Sequence, residues 1–315
     1  MKSRDRFLDS SIVDELNRIE NLPETKNKLK SILNKNSNKN MENFSVGFLG
    51  FVASTIAARF FSGYFLYIIL ILIWLPFLNF FSRNKYNSED TYIKNFLEPV
   101  LKKVLPDTEV DYDEEMDLDI LGNLVYNSKI YESKCHITFG DEYKTQFCNL
   151  YAYHEKFNDK GKEVRYTDFQ GQVLASCFNT GINGHIRVVP VCNKSMGSVS
   201  YGPYGNKRKD EKEILTESIE FNNSYSIFST DDYYARLIID AKVIDFLNEI
   251  KNKMRVSIYM SEKFVAMAFE TNNTLFKPPL FFISVDKLAL AGNYEKIRTN
   301  LSQFYTIMDN FVDNF

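Results

Sequence analysis

VRYTDFQGQVLASCF, residues 164–178, carries β-branched and aromatic residues with a period of two, the signature of a strand with two distinct faces. TQFCNLYAYHE at 145–155 repeats the pattern, and several antiparallel strands are expected between Lys134 and Val191. Gly171 interrupts the first run and marks a bulge or a close approach of another backbone. RVSIYMSEKFVAMAFE at 255–270 reads as a hairpin turning at Ser261 to Lys263. Helical spacing surrounds this strand-rich part. Ile12, Leu16 and Ile19 lie on one face of a short amphipathic helix, and Leu29, Ile32 and Leu33 on that of a second. Ile93 to Leu105 has the same spacing, with Pro99 kinking the helix or marking its true start. Val243, Phe246, Leu247 and Ile250 line a further helix, and Leu290, Ile297, Leu301, Phe304, Ile307 and Phe311 a long final one. The fold class is α+β, a mainly antiparallel sheet with packed helices.

One stretch stands apart. FFSGYFLYIILILIWLPFLNFFSRNK, residues 60–85, has no charge between Tyr64 and Phe81, which predicts a transmembrane helix. Upstream, FSVGFLGFVASTIAARFF at 44–61 holds small residues and a single charge, Arg59, and is just long enough to span. Lys26, Lys28, Lys30, Lys35 and Lys39 precede the block and Arg83, Lys85 and Lys94 follow it. The positive-inside rule therefore places both flanks in the cytoplasm, which requires an even number of spans. The expected organisation is an N-terminal cytoplasmic helical arm and linker (1–43), a two-helix transmembrane hairpin (44–82) and a cytoplasmic α+β domain (83–315). The anchoring residues are Phe48, Phe51, Arg59, Leu66, Ile69, Leu72 and Trp74. The expected location is the cell inner (plasma) membrane, with the lipid bilayer as one partner; a single span, with the main domain outside, is the alternative.

The 315 residues carry 38 Lys and Arg against 41 Asp and Glu, a net charge of −3. No basic field for phosphates exists, so nucleic acid is not an expected partner. Cys135, Cys148, Cys177 and Cys192 are widely spaced in apolar runs and read as reduced, buried thiols. The acidic run DTEVDYDEEMDLD at 107–119 lacks the glycine that a calcium loop needs at its sixth position and reads as a solvated connection. SMGSVSYGPYGNKRKDEKE at 195–213 reads as a long exposed loop, since Asp210 and Glu211 follow its basic residues at once.

Catalytic motifs do not emerge. Neither a phosphate-binding glycine turn nor G-x-S-x-G occurs. His136, His154 and His185 permit a dispersed triad without suggesting one. Cys135, Cys148 and His154 are the only close set for zinc, without a C-x-x-C pair. No metal or cofactor is expected. Asp168 beside Phe169, and Asp231 with Asp232 near Arg236, are the carboxylates placed for special environments; a strand-edge charge and a helix N-terminal charge are their plainer roles. Ser229 or Thr230 can cap the helix that runs through Asp231 and Asp232.

Two stretches carry a resemblance: YTDFQGQVLASCF (166–178) and LTESIEFNNSYSIFSTDDYYARLIIDAKVIDFL (215–247), with Glu220 and Phe221, an aromatic strand, then Ser229, Asp231, Asp232, Ala235 and Arg236 entering an apolar helix. From Phe44 onward the order of features resembles a bacterial family known as domain of unknown function 3137. That resemblance implies membrane-anchored proteins with two spans and a following α+β domain, and no activity. The functional expectation is a non-catalytic adaptor or regulator at the cytoplasmic face, recruiting an unknown protein partner. Its candidate interaction residues are Asp168, Phe169, Gly171, Phe221, Phe228, Asp231, Asp232 and Arg236. A membrane-tethered hydrolase with Asp168 and His154 or His185 in one pocket is an alternative. An envelope structural component forming homo-oligomers through Gly47, Gly50 and Ala53 is another.

Overall fold

A computed structural model describes residues 3–32, 92–111, 114–157, 161–195, 198–277 and 289–314. They fall into two compact units, one of Met1–Val13, Leu105–Phe276 and Ala291–Phe315, the other of Asp14–Val104 and Lys277–Leu290.

The first unit is built on a nine-stranded antiparallel sheet. Its strands are β1 (Thr108–Asp111), β2 (Ile130–Phe139), β3 (Gln146–Phe157), β4 (Glu163–Cys177), β5 (His185–Pro190), β8 (Lys212–Ile214), β9 (Tyr225–Ser229), β10 (Arg255–Ser261) and β11 (Phe264–Glu270). Strands β6 (Asn193–Ser195) and β7 (Ser198–Ser200) form a separate small hairpin. The spatial order is β1-β2-β3-β4-β11-β10-β5-β9-β8, so the β10–β11 hairpin is wedged between β4 and β5. Strands β9 and β11 are buried almost from end to end, which means that both faces of the centre of the sheet are covered. On one face Leu150, Phe169, Val173 and Phe228 meet Ile120, Leu121 and Leu124 in one apolar cluster. The sequence forms a helix there because Asp117 caps its start, accepting from the Asp119 N–H at 2.8 Å. The acidic run thus holds strand β1 and this capped helix rather than a solvated connection.

Both ends of the described chain are fastened to the turn between β2 and β3. Arg4 is buried; its backbone N–H donates to Glu142 (3.0 Å), and its guanidinium donates to the Tyr143 hydroxyl (2.9 Å) and to Asp309. Phe7 packs edge-on against Phe139 at 5.2 Å, and its carbonyl accepts from the Tyr294 hydroxyl at 3.0 Å.

Besides a helical stretch at 23–32, the helices in chain order are α1 (Ser11–Asn21), α2 (Glu98–Val104), α3 (Leu118–Leu124), α4 (Ile219–Ser224), α5 (Asp232–Ile238), α6 (Ala241–Ile250) and α7 (Leu290–Asn314). In the second unit a single π-helical turn, Ile93–Leu97, leads into α2. Pro99 directly follows the π-helical turn, inside a continuous helical run from 92 to 104, and without an N–H it cannot donate back to the preceding turn.

The transmembrane hairpin is not retained as part of the fold class. Residues 44–82, with Phe48, Phe51, Arg59, Leu66, Ile69, Leu72 and Trp74, lie outside the described residues. Among the described residues no helix is long and apolar enough to cross a membrane. The longest, α7, is long enough, but it carries Glu295, Lys296, Arg298 and Asp309 on its more exposed side, too many charges for a membrane span. The fold is α+β.

Candidate functional site

The sheet ends at β8, and a groove opens beside it. Ser218 caps α4 by accepting from the Phe221 N–H at 3.2 Å. Asp231 caps α5 by accepting from the Tyr233 and Tyr234 N–H groups at 3.0 and 3.2 Å. Asp240 caps α6 through the Val243 N–H at 3.0 Å. Three short capped helices following β8 and β9 thus leave a groove of about 430 Å³ floored by Ile214, Ile227, Ile239 and Ile244 and walled by Glu217, Arg236 and Asp245. Leu215 in its lining is 66% exposed; Ile219, next in sequence to the lining residue Ser218, is 78% exposed, and Tyr233, which lines a neighbouring concavity that shares Arg236, is 70% exposed. Asp231→Ala is expected to lower stability by about 1 kcal/mol, since two N–H groups lose their acceptor; a urea titration reads it.

A buried charged cluster fixes the start of β8. Arg187, at the centre of β5, is 1% exposed and donates to both Glu211 oxygens at 3.0 Å and to the carbonyls of Tyr204 (2.8 Å) and Gly205 (3.2 Å). Glu211 immediately precedes β8 and is met also by His185 Nε2 (2.8 Å) and the Arg208 N–H (2.6 Å). Burial pushes the Glu211 carboxyl up, but its bonds from His185, Arg208 and Arg187 outweigh that and hold it at about 2. Arg208 lies over the Tyr126 ring at 4.3 Å. Tyr204 is buried, and its hydroxyl donates to Glu270 at 2.6 Å. Residues 201–211 are therefore locked to the sheet, whereas the sequence reading made them part of a solvated loop.

A second cluster lies on β3 and β4. The pairing runs Ala152↔Phe169 and then Tyr153↔Thr167, leaving Asp168 as the extra residue of a β-bulge. Asp168 contacts His154 Nδ1 at 2.8 and 2.9 Å, and the Ser128 hydroxyl donates to it at 3.0 Å. An ionised Asp168 requires the proton on Nδ1, which leaves Nε2 as the imidazole lone pair. The serine bonds the carboxylate and not the histidine, so it is not placed as an activated nucleophile. His185 belongs to the Glu211 cluster instead.

Residues 167–312 match the family model described as protein of unknown function (DUF3137). The matched region belongs to the DUF3137 family. The match takes in β4 from Thr167 onward, the edge strand β8 and the helices α4 to α6 that form the groove. No curated protein matches the chain significantly. Among solved structures, the crystal structure of the mycobacterial trehalose monomycolate transport factor A, TtfA, aligns with 64% of this chain and 88% of its own at 9% identity, with a TM-score of 0.36. That likeness is too slight to bear on this chain's role.

The expected interaction residues of the DUF3137 region divide by position. Phe169, Phe221 and Phe228 are closed in the core and support the surface from beneath. Gly171 is pressed against the β11 backbone, and Asp231 is spent on its cap. Asp232 and Arg236 are exposed and paired with each other at 3.3 Å, and Arg236 reaches the groove. Other groove residues, Leu215, Glu217 and Asp245, went unread; the one local signal was LTESIE, two apolar residues among polar ones at the start of a capped helix. All four cysteines are free, but only Cys135 and Cys148 are buried, and burial pushes the Cys135 thiol up to about 12; Cys177 is exposed and Cys192 half-buried. Among the described residues no group of three His, Cys, Asp or Glu could hold a metal ion.

Proposed function

We propose that the DUF3137 region is a non-catalytic binding module, an adaptor or regulator that recruits a protein through the groove beside β8. The observation that carries this reading is a preformed groove with an apolar floor and the exposed Leu215 in its lining, next to a second concavity that shares Arg236 with it and is lined by the exposed Tyr233. Large apolar side chains gathered at a concavity are favourable to cover, at about 1.5–3 kcal/mol for each one fully buried. A photo-crosslinking residue placed at 233 or 215 in the full chain is expected to give discrete protein adducts in cells. The same residue at 118, equally exposed but away from the groove, is expected to give none. Equal adducts at all three positions would remove the reading.

A hydrolytic second reading has one observation in its favour, the Asp168–His154 contact on a bulge. Ser128 does not complete it, because its hydroxyl is turned to Asp168.

A further inference from the structure

We infer that the occupant of the groove is an extended protein segment bearing lysine or arginine beside apolar residues, laid along the outer side of β8. This rests on reading the groove as a protein-docking site and adds the chemistry of what docks there. Strand β8 ends the sheet, and its outer edge has no strand partner among the described residues. An edge of that kind offers backbone N–H and C=O groups to an extended guest, while the neighbouring concavity takes its side chains.

Charge selects the guest. Four carboxylates, Glu217, Asp231, Asp232 and Asp245, line the groove and the shallower concavity that shares Arg236 with it, against that one guanidinium. Asp231 is engaged in its cap and Asp232 with Arg236. Glu217 and Asp245 are exposed and make no hydrogen bond or ion pair among the described residues. Two open carboxylates beside an apolar floor repel an acidic peptide or an anionic lipid surface and attract a cationic guest. The long stems of lysine and arginine also cover apolar surface while their heads reach the walls.

The test is selection of a random heptapeptide display library on the immobilised full chain, with the Ala241→Phe variant as counter-target. Ala241 is exposed, lines the groove and opens α6 after its cap, so phenylalanine there fills the groove from a surface position. Enriched peptides are expected to carry Lys or Arg next to an apolar residue. A synthetic peptide of the enriched sequence should lose at least ten-fold in affinity on the Glu217→Lys/Asp245→Lys double variant and lose binding on Ala241→Phe, with both variants melting as the parent does. Enrichment of acidic or uncharged peptides that ignore the charge reversal would overturn the cationic guest and leave the docking site standing. No enrichment, together with no crosslinks at 233, would sink both. Self-association of the chain abolished by Ala241→Phe would make a second copy the occupant, and binding to phosphatidylglycerol vesicles abolished by the same change would make it a lipid surface; either overturns the inference.

Discussion

Arg187→Met is expected to cost about 3–5 kcal/mol of stability. The methionine matches the stem in volume but leaves Glu211 buried without its guanidinium partner and frees the carbonyls of Tyr204 and Gly205. The midpoint of a urea titration reads the effect. A loss under 1 kcal/mol would mean that His185 and the Arg208 N–H suffice to hold the carboxylate. Because Glu211 leads directly into β8, the same variant is expected to loosen the groove, seen as faster amide exchange in residues 212–216. The cluster also sets an acid limit. The Glu211 carboxyl sits at about 2 in the fold against an ordinary 4.5. Above pH 4.5 it is ionised in both folded and unfolded chains, and its contribution is complete. As pH falls from about 4.5 towards 2 the unfolded chain takes up the proton first, and that contribution drains away. Glu211→Gln should flatten stability across this window.

Gly171→Ala is expected to cost about 3 kcal/mol or more. A Cβ built there would stand 1.9 Å from the Phe269 carbonyl oxygen and 3.1 Å from the Glu270 Cα. Both are backbone atoms of β11, so no side chain can swing aside; the β4–β11 pairing itself must open. At about 2–4 °C per kcal/mol for a unit of this size, the melting temperature should fall by roughly 6–12 °C. Gly292 supplies the control. It lies within α7, where an added Cβ would meet nothing within 4 Å, and Gly292→Ala should stabilise by about 0.5–1 kcal/mol. Equal losses at both positions would show that close approach is not what glycine provides at 171.

The strands at 145–155, 164–178 and 255–270 were legible because their period-two pattern is local, and α6 and α7 because helical spacing of apolar residues is local too. Residues 201–211 were not. Lys207, Arg208 and Lys209 beside Asp210 and Glu211 balance one another along the chain and look solvated, but Arg187, 24 positions before Glu211, is the partner that draws the carboxylate inside. Phe169, Phe221 and Phe228 were named among the candidate interaction residues, and their burial was not legible for a similar reason: alternation separates two faces, and nothing in it says that both are covered. Gly171 was read as a bulge or a close approach, and it is the approach; the bulge falls at Asp168. The groove escaped notice because Glu217 and Asp245 belong to different elements and share a wall only once β8, α5 and α6 are in place.

The bond from Arg4 to Asp309 joins positions 305 apart, and it gives assembly a clock. At about 5–20 residues per second the ribosome needs roughly 15–60 s to deliver Asp309 after Arg4 has emerged. Through that interval Arg4 and Phe7, made first, wait with their apolar and charged surfaces open, and the strands between them and α7 must pair without either end in place. Helix α7 is then what receives Arg4 and Phe7. Closure of this unit waits for α7, and a chain stalled before α7 would present the Arg4–Phe7 segment to whatever chaperone is nearest.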